Sequence, residues 1–393
     1  MFQRPYYSRI EQRLGMERKF IQVLMGPRQV GKTTLVRQFL DKYRFPWHYA
    51  SADEATQPLW LQQQWDTVRL KLNSSDAKEA LLVIDEIQKI QDWSNLVKIQ
   101  WDKDSFDKLP LKVILLGSSQ LMLQKGLSES LAGRFEVTRL PHWSYIEMKD
   151  AFDFTLDDYI WFGGYPGPAD LISDIARWKE YIRHSLVETT IMRDILLLTR
   201  IDKPALLRNL FDLACSWSGQ ILSYNKILGQ LKDAGNTTTL AHYLKLLEGA
   251  GMVKGLEKYS SSTIRQRSSS PKFQVFNTAL MSALSPNQKQ EIEEQPETYG
   301  RWVESAIGAH LVNQSHSEQI DLFYWREGNH EVDFVLQKGS KVIGIEVKSG
   351  RNKSSSGISE FTKRFNPDKV LLVGREGIPV EEFLTIPVPD VFL

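Results

Sequence analysis

The chain has one cysteine, Cys215, in 393 residues. An internal disulfide framework and a cysteine-based zinc site are therefore excluded. The run Phe211-Asp212-Leu213-Ala214-Cys215 reads instead as a helix carrying a buried thiol. Charge of one sign is equally absent: 49 Lys and Arg oppose 48 Asp and Glu, a net charge of +1. Nothing global draws the chain to nucleic acid, so any such binding needs a local basic patch. No apolar run approaches the length of a membrane span. The start, Met1-Phe2-Gln3-Arg4-Pro5, lacks a signal-peptide core, which makes the cytoplasm the expected location. The seven histidines show no metal-ligand spacing, and no zinc is expected. What is present is ordinary for a globular chain of two or three domains: 42% hydrophobic and 25% charged residues, enough for a large core.

Residues 26–33 read Gly-Pro-Arg-Gln-Val-Gly-Lys-Thr, a complete G-x-x-x-x-G-K-[ST] phosphate-binding loop. The apolar run 20–25 before it reads as a strand, and 34–40 after it as a helix, which is the context the motif requires. Backbone N–H groups and a helix N-terminus form a nest for negative charge. The segment Gly26, Pro27, Arg28, Gln29, Val30, Gly31, Lys32, Thr33 and Thr34 is thus the expected ATP cradle. Lys32 reaches phosphate oxygens, and the Thr33 hydroxyl ligates Mg²⁺. Arg28 reads as a positioning or domain-contact residue rather than a catalytic one.

Short apolar runs recur at 47–50, 81–84, 112–116 and 136–140, separated by helical patterns. They predict a parallel α/β sheet covered on both faces. Leu81 to Ile84 ends in Asp85-Glu86. An acidic pair closing a buried strand downstream of a phosphate loop is expected to hold the Mg²⁺ shell through Asp85 and to orient the attacking water through Glu86. The strand 112–116 ends in Gly117-Ser118-Ser119. If it lies between the other two, Ser118 or Ser119 touches the water or the γ-phosphate; an ordinary turn serine is the alternative. Arg134, just before the fifth strand, is a candidate γ-phosphate sensor or an arginine finger supplied in trans, against the reading of a surface arginine paired with Glu129 or Glu136.

From Thr155 the pattern turns helical. Long amphipathic helices are expected over 172–200 and 205–217, the second opened by Pro204. Helices over 224–231 and from Asn236 or Thr237, then strands at 252–256 and 272–276 around a serine-rich segment, give the order of a winged helix. Its rim carries Lys254, Lys258, Arg265, Arg267 and Lys272, which suits DNA or a protein partner equally. The last part, with a helix over 302–312 and four strands between 321 and 373, is α/β again.

Taken together, Gly-Pro-Arg-Gln-Val-Gly-Lys-Thr-Thr, Val-Ile-Asp-Glu-Ile-Gln, Gly-Ser-Ser and Ser-Leu-Ala-Gly-Arg resemble a widespread prokaryotic AAA-type ATPase family. Its members carry a C-terminal domain of unknown function. The segments 159–166 and 192–195 resemble that family's linker helices. The resemblance implies a five-stranded order 5-1-4-3-2 and Mg-ATP hydrolysis, without an established biological substrate. The chain departs from it at Asn277, where relatives are expected to carry Asp.

In the last part, Asp333 lies mid-strand and Glu346-Val347-Lys348 closes the next strand, Glu346 and Lys348 on one face. With Glu304 on the preceding helix, the order resembles the PD-(D/E)xK nuclease fold. The resemblance implies a second Mg²⁺ held by the carboxylates, with Lys348 activating a water. Arg351, Lys353, Lys363 and Arg364 offer a basic surface nearby.

The expected organisation is therefore an AAA-type P-loop ATPase domain over 1–150, a helical and winged-helix-like region over 151–285 and a nuclease-like domain over 286–393. The expected function is a Mg-ATPase that moves a C-terminal module acting on DNA or RNA, assembled as a homo-oligomer if Arg134 works in trans. The alternative is an ATP-dependent switch that recruits a protein partner through an inactive nuclease-like domain.

Overall fold

The computed structural model describes residues 2–54, 57–118, 127, 130–196, 201–231, 236–260, 269–315, 318–348 and 356–393. They divide into two compact units, Met1–Pro141 with Arg193–Thr199, and His142–Met192 with Arg200–Leu393. Among them, no helix is long and apolar enough to cross a membrane.

In the first unit, β1 (Ile21–Met25), β3 (Ala80–Asp85) and β4 (Leu111–Gly117) are buried at every residue. Strands read as continuous apolar runs because both faces must be covered. With β2 (Trp47–Ser51) and β5 (Phe135–Arg139) they form a parallel sheet of order β2-β3-β4-β1-β5. That is the 5-1-4-3-2 order of a P-loop ATPase fold. The two-residue side-chain period sorts the core. Val23, Ile84 and Leu115 join Trp65 and Val68 of the helix Pro58–Asn73 and Val97 of the helix Trp93–Phe106. Leu24, Val83 and Leu116 join Leu35 and Val36 of the helix Lys32–Leu40 on the other side. Each such burial stabilises by about 1.5–3 kcal/mol. Because β4 sits between β1 and β3, the loops after these three strands meet at one sheet edge.

Over 172–196, the described part of the expected helix 172–200, one continuous α-helix does not form. The chain is α-helical over Ile175–Glu180 and then takes wide π-type turns over Tyr181–Glu188 and Thr190–Ile195. Among the buried residues there, Ile182 and Val187, and Leu186 and Ile191, are five apart, a spacing that i→i+5 bonding keeps on one side. Helices Pro204–Ser216, Tyr224–Gln230 and Thr237–Gly249 follow as expected. Asn236 caps the third, its side chain accepting from the Thr239 N–H at 2.8 Å.

The hairpin β6 (Val253–Lys258) and β7 (Lys272–Val275) forms, but it is not confined to a central region. β6 pairs in parallel with β8 (Asp321–Glu327), so the hairpin extends the C-terminal sheet of β9 (His330–Lys338), β10 (Lys341–Lys348) and β11 (Lys369–Gly374). The sheet order is β11-β10-β9-β8-β6-β7. Asn277, just past β7, is buried, and its amide accepts from the Gly164 N–H at 3.1 Å while its NH₂ lies 3.3 Å from His142 Nδ1. An Asp there would offer acceptors only.

Candidate active site

The turn after β1 is shaped by two glycines. A Cβ on Gly26 would lie 2.1 Å from the carbonyl oxygen of Leu140, the residue that follows β5. Gly31 has φ of 90° and caps the helix Lys32–Leu40, a left-handed conformation that glycine adopts without penalty. The helix thus starts inside the loop, with its first N–H groups free of helical partners.

Lys32 is 7% exposed, and its Nζ donates to the carbonyls of Gly26 at 2.9 Å and Pro27 at 2.8 Å. Burial pulls its pKa down to about 8, against the opposing charges of Glu86, Asp85 and Asp194. A buried ammonium satisfied only by neutral carbonyls is primed to exchange them for anionic oxygens.

Thr33 Oγ1 donates to Asp85 Oδ2 at 2.8 Å. The same oxygen accepts from Tyr49 Oη at 2.7 Å, and Asp85 Oδ1 accepts from the Glu86 N–H at 2.9 Å. Burial, followed by the bond to Asp85, raises the Tyr49 pKa, so the phenol keeps its proton. Glu86 stands in the left-handed region at φ 52°, a strained position for a non-glycine residue. Its Oε2 accepts from Gln88 Nε2 at 2.5 Å and from Ser118 Oγ at 3.1 Å. Of the two serines after β4, Ser118 therefore touches the acid; Ser119 lies outside the described residues.

Arg28 projects from the loop into a bidentate pair with Asp194, Nε to Oδ2 at 2.5 Å and Nη2 to Oδ1 at 2.7 Å. Planar forks of this kind fix orientation as well as charge. Burial lowers the arginine's pKa, but the bond and charge of Asp194 outweigh it and the net shift is upward.

Arg134 is placed elsewhere. Its carbonyl accepts from the Ile21 N–H, at the opening of β1. The phosphate loop leaves the other end of that strand, about 16 Å away for five residues. Its guanidinium pairs with Asp102 at 2.7 and 3.0 Å, not with Glu136. The reading of Arg134 as a γ-phosphate sensor for its own chain fails on this geometry.

In the C-terminal sheet, Glu304 and Asp333 come together, but around a residue taken for a basic rim. Lys272 is fully buried. Its Nζ lies 2.7 Å from Glu304, 3.6 Å from Asp333 Oδ1 and 3.6 Å from Glu331. Asp333 Oδ2 accepts from the Val347 N–H at 2.7 Å. Glu346 and Lys348 lie 3.8 Å from each other. Among the described residues, no three His, Cys, Asp or Glu side chains are placed to hold a metal. The expectation of a second Mg²⁺ at Glu304, Asp333, Glu346 and Lys348 finds no support, because an ammonium stands between two of those carboxylates. Arg351 and Lys353 of the basic surface, and Arg265 and Arg267 of the rim, lie outside the described residues.

Tyr49, Gln88 and Asp194 were given no site role in the sequence, and Lys272 only a place in the basic rim. Tyr49 and Gln88 had local signals: Gln88 closes the Val-Ile-Asp-Glu-Ile-Gln motif, and in a strand paired with β3 a two-residue period puts Tyr49 on a face with Trp47 and Ser51.

Comparison with known proteins agrees with the fold. Residues 18–149 match a family model described as an AAA domain. Residues 153–291 and 299–391 match two models described as domains of unknown function, DUF8612 and DUF4143. An uncharacterized protein of Mycobacterium tuberculosis is 27% identical over 353 residues, 88% of this chain and 74% of that protein. One from Methanocaldococcus jannaschii is 24% identical over 338 residues, 80% and 72% of the two chains. Among solved structures, the Thermotoga maritima RuvB Holliday junction branch migration motor aligns at 16% identity and a TM-score of 0.34, over 63% of this chain and 89% of that one. The Aeropyrum pernix ORC1 protein in complex with DNA aligns at 14% and 0.32, over 72% and 91%. Likeness at those scores says nothing of activity or partners. The matched family model and the sheet order agree that the first unit carries an AAA-type P-loop domain.

Proposed function

We propose that this chain is a Mg²⁺-dependent ATPase acting as a nucleotide-driven switch. The observation that carries the reading is the contact of Thr33 with Asp85 beside a buried Lys32 and a glycine-shaped loop. The donor set suits Mg²⁺, because the Thr33 hydroxyl and the Asp85 carboxylate are hard oxygens that already meet. Held by Thr33 and Asp85, the ion would supply positive charge that neutralises the phosphate oxygens.

The residues divide the remaining work. The loop's N–H groups and the helix N-terminus hold the phosphates. Lys32 leaves the carbonyls of Gly26 and Pro27 for phosphate oxygens. Tyr49 fixes the Asp85 carboxylate by its hydrogen bond. Glu86 orients a water and takes its proton as the water's oxygen bonds to the γ-phosphorus and the bond to the bridging oxygen breaks, leaving ADP and phosphate. In the structure Glu86 is held by Gln88 and Ser118, so turnover requires its release toward the water. Replacing Glu86 by Gln removes the base and keeps the shape. Steady-state phosphate release should fall by about 10²–10⁴-fold while nucleotide binding persists. Unchanged turnover would remove Glu86 from the mechanism.

Arg134 is exposed enough to act on a neighbouring chain, which makes assembly through an arginine finger in trans part of the proposal. Of the two roles open to the C-terminal module, docking a DNA, RNA or protein partner is favoured over cutting, since Lys272 stands where a catalytic cation would.

A further inference from the structure

The first strand residue of β7 is a lysine with no exposed surface at all. A lone buried ammonium would lose its proton or force the chain open. Lys272 does neither, because three carboxylates from two elements converge on it. Glu304 comes from the helix Pro296–Ser315, and Glu331 and Asp333 both come from β9. The Asp333 carbonyl accepts from the same Nζ at 3.2 Å, and the amine lies 5.0 Å from the centre of the Phe334 ring. Burial alone would lower the lysine's pKa, yet the charges of Glu304, Asp333 and Glu331 carry it upward. The surrounding carboxylates therefore favour the charged form of the amine.

Oxygen atoms on several sides, carboxylate charge in excess of the cation and a backbone carbonyl are the surroundings in which proteins hold divalent ions. Here a side chain of the protein fills them. We infer that Lys272 is the resident cation of the Glu304–Glu331–Asp333 cluster, closing it to divalent metal, and that once the ammonium is removed the three carboxylates, which are not placed to hold a metal as they stand, draw in around a divalent cation. Two electrostatic facts support the exclusion. A metal ion entering the cluster would have to displace an amine that itself has no exposed surface, and sharing the space would bring two positive charges within a few ångströms of each other. The anchoring is also mutual. Asp333 is tied to the β10 backbone by the Val347 N–H, so the amine joins β7, the helix, β9 and, through Asp333, β10. The cation then works as a fastener between the hairpin and the sheet it extends. This inference does not depend on the ATPase reading.

The test uses the full chain without nucleotide, titrated with Mn²⁺ and followed by Mn²⁺ electron paramagnetic resonance and thermal unfolding. Wild type should show no Mn²⁺ site that Asp333→Asn removes, and no melting shift between chelator and millimolar Mn²⁺. Lys272→Met should melt lower in chelator and gain a Mn²⁺ site. Saturating ion should raise its melting temperature by about 5 °C, and adding Asp333→Asn should abolish that gain. If Lys272→Met does not fold even in Mn²⁺, the wild-type arm decides alone. A Mn²⁺ site in wild type lost on Asp333→Asn, or divalent-dependent DNA cleavage lost in the same variant, overturns the inference. So does a folded Lys272→Met that binds no metal.

Discussion

At the residue scale the first unit is organised around one lysine. Lys32 is charged, buried and satisfied by two carbonyls of its own loop. Its pKa of about 8 in the free protein has a direct consequence for binding. Below pH 8 the free amine carries its proton and meets phosphate as a cation. Above pH 8 it is neutral, while contact with phosphate restores a pKa near that of an ordinary lysine. Binding then takes up a proton, and affinity must fall as pH rises through the free-state value. The dissociation constant for Mg-ATP at pH 9 should be about tenfold weaker than at pH 7. A constant value across that interval, measured by calorimetry in buffers of different ionisation heat, would contradict the electrostatic account of Lys32.

At the scale of elements, the loop is tied to a segment far away in sequence. Arg28 and Asp194 are 166 positions apart and form a two-pronged pair inside the first unit. Asp194 belongs to the short stretch 193–199 that joins this unit while both its flanks belong to the other. If phosphate in the loop draws on Arg28, it competes with Asp194 and couples nucleotide occupancy to that stretch. Asp194→Asn should lower the unfolding free energy by about 1–2 kcal/mol, allowing for screening at the partly exposed arginine. An unmoved urea midpoint would leave the pair without weight.

The elements also show what a sequence discloses. The strands β1, β3 and β4 were legible because each is a short apolar run buried on both faces. Asp85 and Glu86 were legible because acids at the end of such a run have few other uses. The parallel pairing of β6 with β8 was not, since partners more than 60 residues apart leave no local trace. Lys272 was misread as rim for a related reason. Its charge suggests solvent, and the acids that make burial tolerable arrive from residues 304, 331 and 333. Asp194 was invisible as a partner of the loop for the same cause, and the π-type turns were hidden because their spacing differs from an α-helix by less than one residue per turn.

At the scale of the whole molecule, two units with separate sheets share one chain, and the chemistry proposed for the first needs a neighbour only through Arg134. That arginine lies at the opposite end of β1 from the phosphate loop of its own chain, paired with Asp102 at the surface. If it serves in trans, Mg-ATP should raise the mass seen by light scattering, and turnover per chain should rise with protein concentration. Arg134→Ala should remove the concentration dependence. Full turnover from a strict monomer would confine the mechanism to the residues within one chain.

The central claim is that the loop 26–34 grips a nucleoside triphosphate through its backbone and Lys32. Calorimetric titration of the full chain with a slowly hydrolysed ATP analogue and Mg²⁺ tests it most directly. The account predicts one site per chain, weakened by about 100-fold or more in Lys32→Ala, since a charge-assisted contact of about 3 kcal/mol is lost. Heat of dilution alone from wild type, or equal affinity in Lys32→Ala, would contradict it.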